Sequence, residues 1–211
     1  QGLAVDDSGA LYITSNKFSE GTDQFRVDKY ESFETSSSDK EELAIIDGHG
    51  AGFDYIDGEF YYGIKDNINV YNYDMKEVIK GNIGPGFSNW VTCGGDSKYY
   101  ACSDGGGSKV YIYNGPVGVN NEVSHQLSIT SNVILKSEKT KTLAILQGVE
   151  AYRDFLLAYR GGMVKGKDDY LWVDVFNIKT GEMVYQKRFQ VWRTKGIRAK
   201  FILRNEGEGL S

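Results

Sequence analysis

One phrase recurs along this chain, and that recurrence limits the possible folds more than any single residue does. "QGLAVDDSGALYI" opens at Gln1, "AGFDYIDGEFYYG" follows from Ala51, and "QGVEAYRDFLLAYRG" returns from Gln147. Each copy starts at a glycine, alternates small, polar and apolar residues, passes a short turn and comes back. Alternation on both arms is the pattern of a β-hairpin. The turns agree: Asp7-Ser8-Gly9 in the first copy, and Asp57-Gly58, a strong two-residue hairpin signal, in the second.

The spacing of the copies sets the architecture. Gly52 follows Gly2 by 50 residues, Gly148 follows Gly52 by 96, and Gly209 follows Gly148 by 61. The long gap holds two units, with Asn89 near the middle of the gap and one more hairpin, "WVTCGGDSKYYAC", directly after it. Further strands follow each hairpin, such as "NINVYNYD" and "MKEVIKGNI", and "DYLWVDVFNIKTGEMVYQKRF" with Thr180-Gly181 at its tip. Units of roughly 40–60 residues with about four strands each read as the blades of a β-propeller. A blade cannot cover both of its faces alone, and radial stacking of equivalent blades covers them. The opening glycine then falls where inner strands crowd the axis. The fold class expected is all-β, a propeller of four-stranded antiparallel blades forming a single domain over 1–211. The units run about 1–42, 43–86, 87–140 and 141–198, with a partial fifth at 199–211, so five blades are expected. A two-sheet antiparallel sandwich is the alternative.

Composition supports strands. The 211 residues include 15 Tyr, 10 Phe and 3 Trp against 2 Pro. Aromatic residues suit a pleated, half-buried surface. The net charge of −5 argues against general nucleic-acid binding and against docking on anionic membranes. No apolar run approaches the roughly 18 residues of a membrane helix. No signal-peptide pattern stands at Gln1, and a start at Gln is read as a processed product or a portion of a longer chain. Cys93 and Cys102 share one hairpin. A turn at Gly94-Gly95-Asp96-Ser97 sets them out of register as free buried thiols, whereas a turn at Ser97-Lys98 would oppose them.

The phrase "QGLAVDDSGALYITSNK" resembles the blade openings of helveticin-J-like bacteriocins. It is also similar to the propeller domains of phage receptor-binding (tail fibre) proteins directed at Gram-positive bacteria. Gly48-His49-Gly50 and the "EGEGL" end match the same pattern, whereas the third unit has "SNW" where "QG" is expected. The resemblance implies non-catalytic recognition of a cell-wall glycan such as wall teichoic acid, on a virion tail or outside the cell. It implies display in a trimer or other multi-copy assembly, with no cofactor, nucleic acid or membrane as partner.

Candidate contacts follow from residue chemistry. His49, between two glycines, suits a sugar hydroxyl or phosphate, or else bonds its own loop. Gln1 and Gln147, with Glu208, precede equivalent glycines at one end of the inner strands. The glutamine amides donate and accept at once, which suits sugars, and the same property suits backbone bonding between blades, the plainer reading. Trp90 offers a face for a sugar ring, or packs between blades. Glu150 and Arg153 add polar contacts in the fourth unit. His125, Trp172 and Trp192 read as structural, and Arg188, Arg193, Lys195, Arg198 and Lys200 as a charged outer strand. Asp104 and the glycines after it join two strands and open no helix, so they make a poor phosphate loop. Asp6 and Asp57 have local turn roles. An enzyme of the propeller lactonase type, with a metal held by Glu150, Asn89 and Asp54, is one rival reading. A protein-interaction propeller without a small ligand is the other.

Overall fold

The computed structural model describes residues 2–19, 22–48, 52–64, 66–84, 87, 91–104, 108–115, 118, 121–129, 132–134, 141–143, 145–162 and 169–191. All regular structure among them is β. The first sheet holds β1 (Leu3–Val5), β2 (Leu11–Ser19), β3 (Thr22–Tyr30) and β4 (Glu41–Asp47). The second holds β5 (Phe53–Ile56), β6 (Glu59–Ile64), β7 (Asn67–Tyr71) and β8 (Glu77–Asn82). The third holds β9 (Val91–Gly95), β10 (Tyr99–Asp104), β11 (Lys109–Asn114) and β12 (Val123–Ser128). A short ladder of β13 (Asn132–Ile134) and β14 (Lys141–Leu143) precedes the fourth sheet. That sheet holds β15 (Ile145–Tyr152), β16 (Phe155–Gly162), β17 (Asp169–Asn177) and β18 (Met183–Val191). Each sheet is an antiparallel meander, and the leading strands β1, β5, β9 and β15 touch one another in that order. This is the propeller arrangement that the repeat predicts.

The core lies between blades. One cluster joins Tyr12, Phe25 and Val27 of the first sheet to Phe53, Phe60 and Tyr62 of the second. A second joins Tyr61, Ile68 and Val70 to Cys93, Tyr100 and Tyr113 of the third. A third joins Ala101, Val110 and Ile112 to Val149, Leu156 and Ala158 of the fourth. Period-2 alternation explains the division. Along β6, Phe60 and Tyr62 face the first sheet while Tyr61 faces the third, so both faces are covered and three aromatic residues stand in succession. Tyr12 meets Phe60 at 4.5 Å between ring centroids, and Tyr61 meets Tyr100 at 5.7 Å. The opening glycine behaves as expected at the second blade. Gly52 has φ +66°, and a Cβ there would collide with the backbone nitrogen of Cys93 in the next inner strand.

Turn chemistry is local and legible. Asp57 and Gly58 both have positive φ (50° and 94°), as a two-residue hairpin of this hand needs. Asp6 accepts from the backbone of Ser8 (2.9 Å) and Ala10 (3.0 Å) and from the Tyr12 hydroxyl (2.9 Å). Burial alone would raise the Asp6 carboxyl, but these bonds together with the Ser8 hydroxyl hold it down at about 2.

Three expectations change. The strand over Leu43–Ile46 closes the first sheet instead of opening the second unit, because Ile46 pairs with Phe25 and Ala44 with Val27. Lys141–Leu143 pairs with Asn132–Ile134 and stands outside the fourth sheet. The cysteines are not free thiols. Asp96 accepts from the backbone of Lys98 (2.8 Å) and Tyr99 (2.9 Å), which moves the turn to Ser97-Lys98. Cys93 then stands directly opposite Cys102, Cα atoms 4.2 Å apart, in a disulfide. The expected fifth unit, 199–211, lies outside the described residues.

Candidate functional site

Counted back from their hairpin turns, Asp54, Gly94 and Glu150 stand at one level of three successive inner strands. The middle position has no side chain, and the flanking carboxyls fill the space. A Cβ on Gly94 would collide with Oε2 of Glu150, so the glutamate reaches across to the third blade's inner strand. Asp54 reaches the same strand from the other side, where the Gly95 N–H donates to its Oδ2 (2.8 Å) and the Tyr55 N–H to its Oδ1 (2.8 Å).

Two acids so placed share a poorly solvated space. Asp54 is 5% exposed, and burial pushes its carboxyl up to about 7, against the pull of those two backbone donors. Burial, then the charges of Asp54 and Asp96, holds Glu150 well above the ordinary carboxylate range. Tyr100 completes the group. Its ring is fully buried, its hydroxyl has no hydrogen-bond partner among the described residues, and burial followed by Asp54 and Glu150 raises it strongly. The group can therefore hold a proton near neutral pH. No three His, Cys, Asp or Glu side chains converge on a metal-sized space among the described residues.

Glu150 thus belongs to the axial interior. Of the other expected site residues, Gln147 lies on β15 beside an irregular register between Leu146 and Gly148. Gln1, His49 and Trp90 lie outside the described residues, as do Asn89, Trp192, Arg193, Lys195, Arg198, Lys200 and Glu208. His125 is on the outermost strand of its sheet, bonded to the Ser124 hydroxyl (3.0 Å). Trp172 is buried on β17.

The opposite end of the propeller, which carries the hairpin turns, is well described. At the third and fourth blades, the Arg153 N–H donates to Asp96 Oδ2 (2.5 Å), tying the two inner hairpins together. Lys98 and Lys179 both reach Asp154 Oδ1, at 2.9 and 3.3 Å. The Arg153 guanidinium lies 5.1 Å from the Tyr152 ring centre. At the first and second blades, the Tyr55 hydroxyl contacts Tyr73 (3.1 Å) and Asp7 (3.1 Å), and Tyr73 donates to Asp6 (3.2 Å). Except for Arg153, sequence reasoning gave these turn-face residues at most a local turn role. Lys98 and Asp154, or Tyr55 and Asp7, are 56 and 48 residues apart, and only the register joins them.

No family model matches the chain, and no curated protein matches it. Among solved structures, the chain is similar to the tail fibre of Staphylococcus aureus phage P68, with a TM-score of 0.52 and 12% identity. The match covers 93% of this chain and 40% of the tail fibre, so this chain spans less than half of that protein's length. At this identity the likeness is one of fold.

Proposed function

We propose that this propeller is a receptor-binding module of a phage tail that recognises carbohydrate on a bacterial surface without catalysis. The observation that carries the reading is the shared architecture. A run of four-stranded blades similar in fold to a tail fibre over nearly the whole chain supports the receptor-binding reading. The ligand class is wall teichoic acid, with Gln1, His49, Trp90, Gln147 and Glu150 as the candidate contacts. Affinity for a single sugar on such a rim is weak, and multi-copy display supplies avidity.

The test is binding of the labelled protein to purified Gram-positive cell walls, before and after removal of wall teichoic acid. Binding that falls on removal, and falls again in His49→Ala or Trp90→Ala with unchanged thermal stability, supports the reading. Failure of the intact protein to bind any wall fraction overturns it.

A propeller-enzyme reading would draw on the acids Asp54 and Glu150. The described residues bring no third His, Cys, Asp or Glu to them that would suit a metal, so no reaction step is derived there.

A further inference from the structure

We propose that the turn face at the third and fourth blades, built on Tyr152, Arg153, Lys98 and Lys179, binds a phosphate-bearing glycan or polyol chain. The inference rests on the surface-recognition reading above and places contacts at the end of the inner strands that carries the hairpin turns.

The first argument is a cost without a local return. Arg153 occupies the first position of the two-residue turn between Tyr152 and Phe155, with φ +57°. A side chain other than Asn, Asp or Gly is disfavoured there. The equivalent turn of the second blade has positive φ at both Asp57 and Gly58, whereas here Arg153 alone carries it, at a position that favours glycine. Nothing in the hairpin requires arginine. What the arginine adds is a guanidinium held over an aromatic ring at the surface.

The second argument is charge. In a chain of net charge −5, this corner gathers three cations against two carboxylates. Asp96 is used by the backbone N–H groups of Lys98, Tyr99 and Arg153. Asp154 is shared by both lysines through one oxygen. Donors therefore remain on Lys98, Lys179 and the guanidinium, which is a good match for a phosphate.

The third argument is the floor. Tyr152 is 52% exposed and Phe155, directly opposite it in the hairpin, is 40% exposed. Paired exposed aromatics beside cations give a surface on which the C–H face of a sugar or polyol rests while its phosphate meets the charges. The aromatic corner at the first two blades is of the other sign. There Asp6 and Asp7 hold the Tyr73 and Tyr55 hydroxyls, and a phosphate would be repelled. A polyanionic chain is thereby directed to the third and fourth blades.

The experiment measures binding of the whole protein to poly(glycerol phosphate), to neutral dextran and to dextran sulfate, alongside purified walls. Arg153→Asn suits the left-handed position, so its thermal stability should equal or exceed that of the wild type. It should weaken poly(glycerol phosphate) binding about tenfold or more. Tyr152→Ala should weaken it several-fold although no charge changes, and neutral dextran should bind far less well than the phosphate polymer. Wall binding that persists unchanged in both variants overturns this site and leaves the recognition reading standing. Wild-type binding to walls but not to poly(glycerol phosphate) overturns the ligand class. Loss in Arg153→Asn with no loss in Tyr152→Ala, and equal binding of dextran sulfate, reduces the surface to unspecific charge attraction and overturns the site. No binding to any wall fraction overturns both readings.

Discussion

Replacing Glu150 by Gln should flatten the dependence of stability on pH. Asp54 is protonated up to about pH 7 in the folded chain, against an ordinary value of 3.8. Glu150 is raised in the same direction. A raised carboxyl holds a proton in the folded state that the unfolded chain has already released. Folding is therefore favoured as pH falls and disfavoured as pH rises, until the folded-state group also ionises. Each such group changes stability by about 1.4 kcal/mol per pH unit within its window. Asp54 alone spans about three units, or roughly 4 kcal/mol in all. Between pH 5 and pH 7 the wild type should lose about 2 kcal/mol through Asp54, and Glu150 adds a loss of the same sign. Glu150→Gln cannot ionise, so its stability should fall less steeply with rising pH than that of the wild type. Urea unfolding followed by intrinsic fluorescence at pH 5, 6, 7 and 8 reads the slope directly. Asp6 does not interfere, because its folded value of about 2 places its contribution below pH 4. A wild-type stability that is flat or rises from pH 5 to pH 8 would refute the raised pair. An unchanged slope in Glu150→Gln would remove Glu150 from it.

Other perturbations test the frame around these groups. Reduction of the Cys93–Cys102 bridge releases a short closed loop, and calorimetry with and without reductant should show a loss on the order of 2–3 kcal/mol. Gly52→Ala meets both an unfavourable φ and the Cys93 backbone, so the fold should lose more than about 2 kcal/mol in urea. A cost below half a kcal/mol would show that the inner strands stand farther apart. Arg160 and Asp174 form a buried ion pair in the fourth sheet. Arg160→Met should cost about 3–5 kcal/mol, and adding Asp174→Leu should recover most of it, because the penalty comes from the charge left behind.

Much of the blade architecture is written locally. The glycine-opened hairpins, the Asp57-Gly58 turn and the Thr180-Gly181 tip each depend on residues within a few positions of one another. Period-2 alternation then shows which residues share a face. That is why the strands and their meander order can be read from the chain.

The sequence by itself determined the repeating hairpins, the all-β class and the need for radial stacking, because strand period and turn preference are short-range properties. Tertiary structure alone decided that Leu43–Ile46 closes the first blade, that Cys93 faces Cys102, and that Asp54 and Glu150 meet across Gly94. Alternation assigns a side chain to a face but does not say which strand lies beyond it. Solvation and charge, which set the behaviour of those acids and of the Arg153 corner, come from residues roughly fifty to a hundred positions away.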